Sequence, residues 1–210
     1  MGKRSYGQDC ALALGLDAIG ERWTLLIIRG LLTGPKRYSE LHDQLQGMGT
    51  NLLATRLREL SEHGILAKSG KGYVLTESGE ALRPIAHALI RWGHRFRDNA
   101  VPGALSRPEW DMLALEAAFC PERADGVSST INLTLSGFQF HVVINNQEAR
   151  CVTGEAADPD VSAITTTGVL IAIGQNDLTL DDAIRRGDLQ VSGSRPALRQ
   201  LFRLFDLSAD

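Results

Sequence analysis

Lysine disappears from this chain after Lys71, so arginine alone supplies permanent positive charge to the second half. Residues 99–210 hold 8 Arg against 15 Asp plus Glu, a net of −7. Residues 1–98 hold 14 Lys plus Arg against 10 acids, a net of +4. A polyanion is therefore expected to meet the first half only. Cysteine is scarce. Cys10, Cys120 and Cys151 form no CxxC pair and no regular framework, which excludes a disulfide scaffold and suits a reducing cytoplasm. Long apolar runs are missing too. A membrane helix needs about 20 residues, and the longest candidate, Trp23 to Leu32, is interrupted by Arg29. The basic start Met1-Gly2-Lys3-Arg4 precedes no secretory cleavage pattern, and Tyr6 stands where a myristoylation motif needs Ser or Thr. A cytoplasmic chain with no membrane partner is expected.

Signatures of catalysis and of cofactors are equally thin. His42, His63, His87, His94 and His141 are scattered. His87 and His94 share a helix face, but no Cys or acid is spaced to complete a zinc site. Gly70-Lys71-Gly72 lacks the third glycine of a dinucleotide loop and sits in a hairpin. Gly34-Pro35-Lys36 is no P-loop, and no G-x-S-x-G elbow occurs. The expectation is a protein that is not an enzyme and holds no metal or cofactor.

What is present is two patterns in succession. The composition, 43% hydrophobic and 22% charged, is that of a globular protein with one large or two small domains. The first half has helical period. Leu12, Leu16 and Ile19 mark a helix over 11–19. Residues 23–32 are apolar almost all round and predict a buried helix. Ser39 reads as an N-cap for a helix over 39–46, and Thr50 as an N-cap candidate for a helix over 50–63. Leu53, Leu57 and Leu60 face the core of the latter, and Gly64 ends it. Two strand-like pieces, 65–68 and 73–75, flank a turn at 69–72. Thr76 opens a further helix running to about Asp98, with Pro84 tolerated in its first turns. A linker is expected at 100–108, followed by a helix over 109–119.

The second half has strand period. Ile131, Leu133 and Leu135 alternate with polar residues, as do Phe138, Phe140, Val142 and Ile144. A third strand at 149–153 completes a meander with one apolar face. A strand at 161–165, helices at 167–174 and 179–186, a short extended piece at 189–191 and a final helix capped by Ser194 follow. Phe138, Phe140, Val142, Leu201, Phe202 and Phe205 read as core. The fold class is α+β: a mainly α winged helix-turn-helix domain over 1–99 and an α+β domain over 109–210.

Helix, turn, helix and hairpin in that order describe a winged helix-turn-helix. On the 50–63 helix, Asn51, Thr55 and Arg58 lie opposite the leucine stripe. Asn pairs with adenine, Arg with guanine, and a Thr methyl meets thymine. Arg56 lies on the flank, within reach of a phosphate or of an internal ion pair. Thr50 and Asn51 carry free N–H groups at a helix start, which suits a phosphate. Lys68 and Lys71 border the wing turn, and Lys36, Arg37 and Ser39 precede or begin the first helix of the pair, flanking the same surface.

These residues also carry a resemblance. Cys10, Leu16-Asp17-Ala18-Ile19-Gly20-Glu21-Arg22-Trp23-Thr24-Leu25-Leu26-Ile27, Gly34-Pro35-Lys36-Arg37-Tyr38-Ser39-Glu40-Leu41, Asn51 to Leu60 and Tyr73 to Gly79 resemble HxlR-type regulators. The resemblance implies a MarR-like winged helix and a homodimer built on the first helix and the helix ending near Trp92. It also implies a palindromic operator in double-stranded DNA. The function expected is that of a transcriptional regulator, a repressor. Some members of that family sense electrophiles or oxidants through a cysteine at the position of Cys10, so a thiol-switch repressor is an alternative. A reactive thiol needs a nearby cation or helix N-terminus; Lys3 and Arg4 are near in sequence. Asp160 to Thr165 and Ala183 to Gly193 resemble sterol-carrier-protein-type domains, which implies a hydrophobic small-molecule ligand whose contact residues the sequence does not name. A lipid carrier or scaffold without DNA binding is the remaining alternative.

Overall fold

The computed structural model describes residues 5–99 and 103–207. Lys3, Arg4 and residues 100–102 of the expected linker lie outside the described residues. Contacts divide the chain into two compact units, Met1–Ala86 and His87–Asp210.

The first unit opens with α1 (Ala11–Ile19) and α2 (Thr24–Leu32). The second is apolar on most sides because it runs through the core: Ile27, Ile28, Leu31 and Leu32 are all buried, while Leu26 reaches the surface. Helix α3 (Tyr38–Gln44) packs on α2 at Gly30, where a Cβ would come within 2.8 Å of the Gln44 side chain. Helix α4 (Thr50–Glu62) follows. It stops in a Schellman pair: Gly64, at φ +68, bonds to Ser61 and Ile65 bonds to Leu60. Strands β1 (Leu66–Ser69) and β2 (Gly72–Leu75) pair antiparallel.

Three of the differences from the sequence expectation have a clear local cause. Arg37, not Ser39, is the N-cap of α3, because the Glu40 carboxylate turns back onto the Arg37 N–H at 2.5 Å. Gly49, not Thr50, caps α4, which puts Thr50 in the first helical turn. The long helix from Thr76 is broken into α5 (Glu77–Glu80), α6 (Arg83–Gly93) and a 3-10 stretch His94–Asn99. The cause is Pro84. It has no N–H for the Glu80 carbonyl, and its ring would clash there, so the helix restarts. The Thr76 hydroxyl caps α5 by accepting from the Gly79 N–H at 3.2 Å. The division between the units falls inside α6.

The second unit holds α7 (Pro108–Ala117), β3 (Ser128–Leu135), β4 (Phe138–Asn145), β5 (Glu148–Thr153), β6 (Val161–Thr165), α8 (Thr167–Gly174), α9 (Leu180–Arg186), β7 (Gln190–Gly193) and α10 (Arg195–Leu204). The strands form one sheet in the order β5-β4-β3-β6-β7. Only the β3–β6 pairing among these is parallel. Two-residue turns with positive φ, Ser136-Gly137 and Asn146-Gln147, close the meander and match its right-handed twist. One face of the sheet, with Ile131, Leu133, Phe140 and Val142, packs on Met112 and Leu115 of α7, Leu170 of α8 and Leu201 of α10.

Glu116 of α7 is a charged residue inside this unit. Its side chain is fully buried. One oxygen accepts from the Cys151 N–H at 2.6 Å and the other meets His87 Nε2 at 3.1 Å. β5 is an edge strand, so Glu116 satisfies a backbone donor that has no further strand to pair with. Arg91 donates to the carbonyl of Ala117 at 2.8 Å.

Candidate nucleic-acid interface

Helix α4 is amphipathic by its leucines. Leu53, Leu57 and Leu60 are at most 2% exposed, which fixes the rotation of the helix about its axis. Thr50, Asn51, Ala54 and Arg58 are thereby exposed, and Thr55 is half-buried. Arg58 meets Glu62 only loosely, at 3.9 Å, with both side chains about two-thirds exposed, so it remains available to a ligand. Since Gly49 has no side chain, no cap acceptor covers the first amides of α4. Such a helix start favours an anion.

Tyr38 is a residue that the sequence reading passed over. Its hydroxyl donates to the Thr50 carbonyl at 2.7 Å, tying α3 to the first turn of α4. Its place within Lys36-Arg37-Tyr38-Ser39 was the available signal.

A single-residue bridge ties the segment before α3 to the wing. Lys36 and Tyr73 exchange backbone hydrogen bonds of 3.1 and 2.8 Å, so the segment before α3 pairs with β2. Gly72 makes this approach possible. It sits at φ +121, and a Cβ there would lie 2.3 Å from the Lys36 carbonyl oxygen. Gly72→Ala is expected to destabilise the unit by about 1–3 kcal/mol, read as a lowered urea midpoint, and to loosen the wing. Lys68 and Lys71 are exposed on the hairpin, with Lys68 Nζ 5.8 Å from the centre of the Tyr73 ring. Arg37 and Ser39 are exposed at the start of α3. The Lys36 ammonium instead folds back within 3.5 Å of the Thr33 and Gly34 carbonyls.

Arg56 stands apart from the exposed set. Its side chain is 16% exposed, and the guanidinium lies 2.7 Å from Glu21 and 2.5 Å from Glu59. Of the two roles left open for it, the structure gives the internal ion pair.

Cys10 is exposed and is the N-cap residue of α1. Hydrogen bonding to the N–H groups of Ala13, then Leu12, holds its thiol below the usual range. Burial pushes Cys120 the other way. In the second unit a cleft of about 530 Å³ is lined by Ser128, Ser129, Asp160, Ser194, Arg199 and Arg203 among others. That lining is polar and does not suit an apolar ligand. Among the described residues no cluster of three or more metal-ligating side chains occurs, and no helix is long and apolar enough to cross a membrane.

The helix-turn-helix and its wing coincide with the span of a known family. Residues 18–101 match the model of the HxlR-like helix-turn-helix. An HTH-type transcriptional regulator of Mycobacterium bovis is 34% identical over 117 residues, covering 52% of this chain and 68% of that protein. The chain belongs to the HxlR-like helix-turn-helix family of transcriptional regulators. The HTH-type transcriptional regulator YodB of Bacillus subtilis is 33% identical over 85 residues, 37% of this chain and 76% of YodB. A crystal structure of quinone-bound YodB from B. subtilis aligns at a TM-score of 0.38 with 32% identity, over 41% of this chain and 99% of that one. Residues 112–206 match the SCP-2 sterol transfer family, so this family member carries a sterol-carrier-like domain after its helix-turn-helix.

Proposed function

We propose that the chain is a homodimeric repressor that reads a palindromic operator through α4 and is controlled by a hydrophobic effector in its second domain. Residues 1–99 serve DNA binding and dimerisation, and residues 109–210 serve ligand binding. The observation that carries the DNA reading is the exposed row Thr50, Asn51 and Arg58 on a helix whose opposite side is locked by three buried leucines. Asn51 and Arg58 contact base edges; Arg37, Ser39, Lys68, Lys71 and the start of α4 contact phosphates.

Apolar stripes left uncovered support the dimer. Leu12 and Leu14 are 71% and 59% exposed on α1. Ile85, Leu89, Trp92 and Phe96, spaced by four, three and four along α6 and its extension, are about half exposed. A second copy covering these helices brings two α4 helices to successive major grooves. For the effector, the match to the sterol transfer family is the support. The test is a titration of fluorescent duplex, enriched by the protein from a random library, at two salt concentrations. Binding must be salt-steep, with a stoichiometry of two chains per duplex. A flat salt response and no enrichment would refute the reading.

Cys10 favours a second reading, in which the thiol is the switch. Exposure and the α1 amides both increase its thiolate fraction. Iodoacetamide at neutral pH is expected to label Cys10 well before Cys120 or Cys151, with a rate midpoint below the ~8.5 of an ordinary thiol. Mass spectrometry of the labelled peptides checks this. If Cys10→Ser abolishes the response to oxidants, the switch lies there. A response to apolar ligands that survives Cys10→Ser assigns it to the second domain.

A further inference from the structure

We infer that Glu21 and Trp23, in the short connector between α1 and α2, are positioning residues for the recognition helix; the inference rests on the DNA-reading role of α4. Two contacts reach from this connector to the helix-turn-helix. At the first, Trp23 carries φ +81, the left-handed region that a side-chain-bearing residue rarely enters. Such a conformation persists where the surroundings over-determine it. Here the indole tip points to the open side of Gly47, in the turn between α3 and α4: a Cβ added there would sit 3.9 Å from Cη2 of Trp23. The Arg22 guanidinium lies 5.2 Å from the indole centre.

At the second contact, Glu21 accepts from Arg56 in the middle of α4 at 2.7 Å. Arg56 is held on its other arm by Glu59 at 2.5 Å. Glu59 lies on α4 itself and orients the guanidinium, so that its other arm meets Glu21 of the connector and ties the helix to it. The exposed residues of α4 have no such restraint: Arg58 is 68% exposed where Arg56 is 16%. The connector therefore grips α4 at the turn that starts it and at its midpoint, bracketing Asn51. Neither Glu21 nor Trp23 belongs to the exposed set that faces DNA. Their effect passes through the orientation of Asn51 and Arg58. Because α1 leads into this connector, a shift of α1 is also passed to the helix that reads bases.

The test compares the enriched duplex with a scrambled duplex of the same length. Glu21→Gln is expected to lose roughly tenfold affinity for the enriched duplex, within the usual range of coupling between sites. On the scrambled duplex its affinity stays within about twofold and its salt slope matches wild type, since no phosphate contact is touched. In an Arg56→Gln background, Glu21→Gln adds little further loss, since the two residues act through one contact. An equal loss on both duplexes, no loss on either, or a full further loss in the Arg56→Gln background overturns the inference. Trp23→Leu is the companion variant, expected to show the same selective loss. Should it fail to fold, Glu21→Gln decides alone, since the Glu21 side chain is 42% exposed and its change leaves the core intact. If the wild-type protein enriches no duplex at all, the DNA reading itself has failed. Hydrogen exchange then tests the positioning role separately: Glu21→Gln must speed exchange of α4 amides while leaving those of α2 unchanged.

Discussion

Asn51→Ala is expected to weaken binding to the enriched duplex by about 1–3 kcal/mol at each half-site, and Arg58→Ala by a similar amount. In a dimer both half-sites lose the contact, so the combined fall in affinity is about 1.5 to 4 orders of magnitude. The magnitude follows from geometry. Both side chains are exposed on the side of α4 away from Leu53, Leu57 and Leu60, and Arg58 gives up only a loose surface pair to bind. Affinity for a scrambled duplex separates their roles. Asn51→Ala leaves it nearly unchanged, because an amide carries no charge. Arg58→Ala lowers it only slightly if the guanidinium reads a base edge, and by as much as the enriched duplex if it meets a phosphate. A parallel titration of Lys71→Ala supplies the reference for a backbone contact: uniform weakening across sequences and a salt slope reduced by about one ion. If Asn51→Ala leaves the enriched duplex unaffected, α4 does not enter the groove as described.

The second large effect concerns stability. Glu116→Ala is expected to destabilise the second unit by about 3–5 kcal/mol, the usual consequence of removing one member of a buried polar pair. The Cys151 N–H loses its 2.6 Å acceptor and His87 loses its carboxylate partner. Glu116→Gln keeps the shape and an acceptor oxygen for Cys151, so its effect is smaller, about 1–2 kcal/mol. Urea denaturation followed by intrinsic fluorescence measures both. Near-equal midpoints for the alanine and glutamine variants would mean that shape and a neutral acceptor oxygen contribute nothing and that the charge of the carboxylate carries the whole effect. Because Glu116 secures an edge strand, the alanine variant is also expected to associate at high concentration, visible by light scattering.

Periodicity made most of the architecture legible. Strand β6 and helices α1 and α8 span the ranges expected of them, 161–165, 11–19 and 167–174. The leucines of α4 gave its inner side, and with it the exposed row that includes Asn51 and Arg58. Legibility fails where the decisive partner is distant or the local rule is overridden. Pro84 is tolerated at a helix start, yet here it makes the start by stopping what precedes it. Ser39 and Thr50 have cap chemistry, but Glu40 and Gly49 settle those boundaries instead. Arg56 has two readings that no local pattern separates, because Glu21 lies 35 residues away. Glu116 looks like one more acid on a helix until His87 and Cys151, 29 and 35 residues off, are folded against it. Tyr38 reads as a helix residue, and only the tertiary arrangement brings the Thr50 carbonyl to its hydroxyl.

The parallel pairing in the sheet has a consequence for synthesis. Strand β3 meets β4 after a two-residue turn, but its other neighbour begins with Val161, which pairs with Ile131. Until the ribosome has delivered Val161–Thr165, the centre of the future sheet is a raw margin of unpaired amides and carbonyls beside Ile131, Leu133 and Leu135. Non-local closure of this kind is slow. Nascent or proteolysed fragments ending between Thr153 and Val161 are thus the species most prone to clump, and chaperones would have their longest engagement with the chain over that interval.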